Sequence, residues 1–232
     1  MRLWKAIFLI ITIPLLYWIF LWPHYSWHQR LTIEIEKNGQ IFSGSSVVYV
    51  FWNKNIMHSM LGMGPAWHST VIGESTIVKL PDNKYLLALL NYPAKGHSNY
   101  AANIATRAIL KTTKIYHSKK EFISVLASRA ISPITLQTKN YPPMISFKNI
   151  EDPTSVVKIR PSKNIRTVID PNIEIKKITL EITFDPITKG NLEKHINWLK
   201  KINGKLKPST KRYVMNLSPE ERISIRDIIR IK

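Results

Sequence analysis

The sequence predicts an α+β fold: a single N-terminal transmembrane helix followed by one antiparallel-sheet domain with a few helices. Three observations predict it. A charge-free apolar stretch opens the chain, period-two alternation of apolar and polar residues recurs from Leu31 onward, and two helix-favouring segments in the middle interrupt that period. They divide the 232 residues into an anchor over 1–27 and a basic extramembrane domain over 28–232.

The anchor is read from Leu3 to Trp22. Ala6 to Trp22 carries no charge, and the stretch approaches the ~20 apolar residues that cross a bilayer. Trp4 at one end and Trp18, Trp22, Tyr25 and Trp27 at the other form aromatic belts suited to the head-group level. Pro14 predicts a kink that membrane helices tolerate. Leu21-Trp22-Pro23-His24-Tyr25 offers no small-x-small cleavage site, so the segment reads as an uncleaved signal anchor. Arg2 and Lys5 precede it and the next cation is Arg30, which places the N-terminus in the cytoplasm and the domain outside.

Beyond the anchor, Leu31 to Glu36 alternates as a half-buried strand, and Asn38-Gly39 is a strong two-residue hairpin signal. The return strand runs from about Gln40 to Trp52, with Gly44 marking a bulge or a close backbone approach. Asn53 to Trp67, with Met57, Met60 and Met63, reads as a loop with an adaptable apolar edge. Strand character returns at Ser69 to Ile72, Ser75 to Leu80 and Tyr85 to Leu90. Ala101, Ala102, Ala105 and Ala108 favour a helix over Tyr100 to Lys114, and Ser118 with Glu121 caps a second to Ala130. Short strands follow at Ile134–Leu136, Met144–Phe147 and Val156–Ile159. Ile173 to Phe184 alternates with one slip at Lys176-Lys177, a bulge signature. Gly190 to Ile202 reads as a helix closed by Gly204, and a last helix starts at Ser218.

Composition narrows the chemistry. With no cysteine, disulfides, thiolate catalysis and Cys-ligated zinc are excluded. Lys and Arg number 34 against 15 Asp and Glu, a formal charge of +19. Two readings of that surplus stand side by side: attraction to an anionic partner, or an AT-biased coding composition rich in Lys, Ile and Asn. The densest basic stretch holds Lys194, Lys200, Lys201, Lys205, Lys207, Lys211 and Arg212, a weak candidate for anionic-surface binding. No catalytic, metal or cofactor motif is present. His58, His68 and Glu74 fit no zinc spacing, and Ser43-Gly44-Ser45-Ser46 lacks the nucleophile elbow. Asp152, Asp170 and Asp185 each precede proline, which is turn chemistry.

Gly44-Ser45-Ser46-Val47, Gly73-Glu74, Ile145-Ser146-Phe147, Asp152-Pro153-Thr154-Ser155-Val156, Ile178 to Thr183, Asp185-Pro186-Ile187-Thr188 and Trp198-Leu199 resemble a family of uncharacterised, mostly proteobacterial membrane-anchored proteins. The resemblance spans roughly residues 28 to 202 and implies a hydrophobic N-terminus and a recurring domain; with the charge bias around the anchor, the expectation is a bacterial inner-membrane protein with its domain on the periplasmic side. The family has no established activity, so no site residue is transferred. The function expected is a non-enzymatic binding or envelope-associated domain whose basic surface meets anionic lipid or an acidic protein, with nucleic acid disfavoured. The alternative is an enzyme or enzyme accessory with a site near the 57–74 loop.

Overall fold

The computed structural model of the chain describes residues 4, 8, 10–14, 24–54, 61–62, 67–91, 99–110, 119–207, 218 and 220–230. Strands β1 (His24–Lys37) and β2 (Gln40–Lys54) form the central hairpin. They turn at Asn38 and Gly39, whose φ angles of 53° and 80° are those the Asn-Gly pair accepts at little cost. β2 pairs onward with β3 (Trp67–Glu74), and β1 with β9 (Ile173–Thr183). β6 (Ile131–Thr135) and β10 (Ile229–Arg230) close the edges of a six-stranded antiparallel sheet, ordered β10-β3-β2-β1-β9-β6. The register of β1 on β9 shifts between Glu34 and Ile35, with Lys176 as the extra residue, where the alternation slips in sequence.

A second, four-stranded sheet is ordered β4-β5-β7-β8: β4 (Thr76–Leu80), β5 (Lys84–Ala88), β7 (Met144–Phe147) and β8 (Val156–Ile159). The single sheet expected from the sequence is therefore two. The small sheet is apolar on both faces, which is why Tyr85 to Leu90 reads as a continuous run. Val78, Leu80, Leu86, Ala88, Met144 and Ile159 face the large sheet and join Ile33, Ile35, Val48 and Ile178 in one core. Ile77, Tyr85, Leu87, Ile145, Phe147 and Val156 face the other way, under a layer made by the C-terminal segment.

The two sheets touch at Gly44. A Cβ there would sit 1.9 Å from the carbonyl oxygen of Ile77, so only glycine lets β2 pass against β4. The β1–β2 register is continuous through Ile33 and Gly44, so this is a close approach and not a bulge.

Helices α1 (Tyr100–Leu110) and α2 (Lys119–Ser128) cover the rest of the large sheet's inner face. Ala102 and Ala105 are fully buried, and Phe122, Ile123 and Leu126 fill the space beside them. Small residues on α1 let it lie close to the strands: the Gln29 side chain donates to the Ala101 carbonyl at 2.6 Å.

Three expectations are corrected. The transmembrane helix is not found: no helix among the described residues is long and apolar enough to cross a membrane. The 11 residues of α1 span about 16 Å at ~1.5 Å each, against a hydrocarbon core of about 30 Å. Of the expected anchor, Trp4, Phe8 and Ile10–Pro14 are helical and mostly exposed, and the rest, with Trp18 and Trp22, lies outside the described residues. The signal-anchor and single-pass inner-membrane reading, with the domain on the periplasmic side, loses its spanning element with it. Second, Tyr25 and Trp27 are not belt residues of a helix but belong to β1. Trp27 is buried in the core, its indole donating to Gln29 at 3.0 Å, and Tyr25 packs on Trp67. The alternation of β1 reaches back through them, with odd positions inward. Third, the helices expected at 190–202 and after Ser218 are short turns: a 3-10 turn at Leu192–Lys194, and α4 at Ile225–Ile228, after the four-residue α3 at Ile165–Val168. Ser218 and Glu221 do make the reciprocal bonds of a capping box, but they close a turn, and α4 carries its own box from Ser224 and Asp227.

Candidate functional site: the basic C-terminal layer

The layer begins at a buried carboxylate. Glu74, at the end of β3 and 1% exposed, accepts the backbone N–H groups of Gly190, Asn191 (3.0 Å) and Leu192 (3.0 Å). Backbone donors satisfy the charge of a group that burial would otherwise penalise heavily. They also fix where the tail leaves the sheet edge. From that point Leu192, Ile196, Trp198, Leu199 and Leu206 turn inward onto the small sheet. Trp198 packs edge-on against Phe147, with ring centroids 5.6 Å apart, and its indole donates to the Ile150 carbonyl at 2.6 Å. Ile223, Ile225 and Ile228 complete the apolar layer. The Leu206 amide bonds the Ile223 carbonyl, and the Ile225 amide bonds the Gly204 carbonyl.

Because the apolar residues of 192–206 are all spent inward, the intervening lysines face outward. Lys194, Lys200, Lys201, Lys205 and Lys207 are all exposed. Lys200 pairs with Glu193 at 2.7 Å. Lys194, Lys201, Lys205 and Lys207 have no carboxylate within ion-pair distance among the described residues. Lys211 and Arg212 lie outside the described residues, so five of the seven expected cations are placed, on one layer.

The small sheet adds a cation that sequence spacing did not suggest. Lys79 stands opposite Tyr85 in the β4–β5 ladder, and the Tyr85 ring lies 5.6 Å from that of His195. Burial pushes the His195 imidazole below its usual pKa, and Lys79 and Lys194 push the same way. Its neutral form is therefore favoured near neutral pH.

The acidic residues are mostly committed elsewhere. Glu34 pairs with Lys177 (3.1 Å), Glu36 with Lys176 (2.6 Å), and Glu181 with Arg30 (2.6 Å), which also meets Asp185. Lys37 bridges Asp82 (3.0 Å) and Asp170 (2.9 Å). Asp152 caps the turn at Thr154, and Asp227 caps α4. Five exposed lysines thus stand together on the C-terminal layer, and Lys200 is the one of them that meets a carboxylate among the described residues.

His68 lies in β3, His58 lies outside the described residues, and Glu74 is occupied by three backbone donors. Among the described residues no group of three or more His, Asp or Glu is placed to hold a metal. Most of the Met57–Trp67 loop also lies outside them. Sequence reasoning missed the Glu74 staple, because its three partners are backbone groups more than a hundred residues away.

No protein family, curated protein or solved structure matches the chain.

Proposed function

We propose that the protein is a non-enzymatic binding domain whose C-terminal layer docks on an anionic surface, either anionic lipid or an acidic protein. One observation carries the reading: Lys194, Lys201, Lys205 and Lys207 stand exposed on one packed layer without acidic partners among the described residues, while carboxylates elsewhere are tied into pairs and caps. Unpaired cations on a rigid support attract anionic groups at long range, each worth about 1 kcal/mol near a charged bilayer surface. Holding them on short turns fixed by Glu74 and Trp198 limits the entropy lost on docking.

The test is binding of the full chain to phosphatidylserine vesicles, to neutral phosphatidylcholine vesicles and to poly-glutamate, at low and high salt. Salt-sensitive binding to one of the two anionic probes is expected, and which one binds identifies the source of the charge. Replacing Lys200, Lys201, Lys205 and Lys207 together by Ala should weaken it more than tenfold. Equal binding to neutral vesicles, or full binding by the quadruple variant, sinks the reading. Preference for a nucleic acid duplex over both anionic probes does so as well.

A further inference from the structure

A hollow of about 350 Å³ opens on the opposite side of the small sheet's β8 edge, between the Pro161–Ile165 turn, the residues around Thr138 and Tyr141, and the start of β9. Its floor is apolar: Ile165 and Ile173 are buried, and Ile175 is half-buried. Its rim is made of donors. The Thr138, Tyr141 and Ser162 hydroxyls and the Lys163 ammonium have no side-chain partner within the protein among the described residues. Arg166 is held only loosely, donating to the Ile173 carbonyl at 3.4 Å and meeting Glu174 at 3.5 Å. Glu174 is the one acid in the lining, and it is shared with Lys176 at 3.6 Å. The turn itself is braced: Asn164 accepts from the Arg160 amide at 2.6 Å and donates to the Lys158 carbonyl at 3.0 Å. That leaves the Ser162 and Lys163 side chains free to point outward from a fixed backbone.

A concave site of this size with an apolar floor and a few convergent polar groups has the build of a small-molecule pocket. Here the polar groups are nearly all donors and two are cations, so the complementary group is an oxyanion. An Arg fork with a neighbouring Lys and hydroxyls suits phosphate or carboxylate oxygens, which accept several charge-assisted hydrogen bonds at once. We infer that this hollow binds a small organic anion, a phosphate or carboxylate group carried on an apolar body, with Lys163 and Arg166 on the anionic group and Ile165, Ile173 and Ile175 under the body. The site is separate from the basic layer and does not depend on it.

The probes are phenyl phosphate, benzoate and neutral benzyl alcohol, titrated into the full chain with ¹³C-labelled isoleucine methyl groups. Phenyl phosphate or benzoate should shift the Ile165, Ile173 and Ile175 methyl signals in a saturable way, and the tighter of the two names the anionic group. Lys163→Ala with Arg166→Ala should weaken that binding at least tenfold. Both side chains are exposed and Arg166 makes only long contacts, at 3.4 and 3.5 Å, so little change in thermal midpoint is expected of the variant. Arg166→Lys should retain part of the affinity. Absence of saturable shifts with both anions, equal shifts with benzyl alcohol, or unchanged binding by the double variant overturns the inference. None of these outcomes bears on vesicle or poly-glutamate binding by the C-terminal layer.

Discussion

The outer face of the large sheet and the C-terminal layer are both polar surfaces laid over apolar cores, yet they handle charge in opposite ways. On the sheet, cross-strand neighbours neutralise each other: Glu34 with Lys177, Glu36 with Lys176, Arg30 with Glu181 and Asp185. Such pairs add little stability each, but they favour one register over its slipped alternatives. On the layer, Lys200 alone of the five exposed lysines meets a carboxylate among the described residues, and the turns that carry them rely on Glu74, Trp198 and apolar burial to stay in place. One surface is finished within the molecule. The other is left charged, at some cost in self-repulsion.

The comparison can be broken most severely where the two sheets cross. Gly44→Ala drives a methyl group into the Ile77 carbonyl and should lower stability by about 3 kcal/mol, read from the denaturant midpoint at unchanged slope. An unchanged midpoint would mean that β2 and β4 can part without loss. Glu74→Ala comes next. It leaves one buried and two half-buried N–H groups without acceptor and should cost about 2 kcal/mol, with faster amide exchange at Gly190 to Leu192 while β1 and β9 keep their protection. If the sheet and the layer lose protection together, the layer is not a separately docked element.

The smallest effect separates the two regions by pH. The folded His195 pKa lies below its ordinary 6.5, so the unfolded chain binds a proton that the folded chain does not. Stability therefore falls as pH drops through 6.5 toward the depressed value, and His195→Gln should flatten the curve below pH 6.5. Asp170 responds later. Its pKa is lowered from 3.8 by the Asn172 amide and by Lys37, so its contribution is present above 3.8 and lost as pH falls through the depressed value. The Asp170→Asn variant should lose that acid limb and keep the one due to His195.

Much of the strand layout was legible in the sequence because it rests on local, period-two alternation. Met144–Phe147 and Val156–Ile159 fall where the sequence places short strands, and the Asn38-Gly39 turn and the Lys176 bulge are visible in the residues themselves. What was not legible is non-local. The alternation of β1 runs back through Trp27 and Tyr25, but a neighbouring apolar run with aromatic ends gave a competing reading as a membrane helix. The stretch from Gly190 to Ile202 has helical spacing of its apolar residues, yet it is anchored at Glu74 and folded onto the small sheet as turns. Of the candidate site, the cations of 194–207 could be named from sequence alone. Lys79 and His195 could not join them, because only the β4–β5 pairing and the Tyr85 contact bring them there.

Glu74 has a consequence for how the chain is made. It emerges from the ribosome well before residues 190–192, so during synthesis its carboxylate and the outer face of the small sheet wait for a tail that has not yet arrived. Leu87, Ile145 and Phe147 are then bare apolar surface, the kind that nascent chains lose to aggregation. Arrival of residues 190–192 gives that acid its three donors, and the face is covered only once Leu192 to Leu206 and Ile223 to Ile228 have followed.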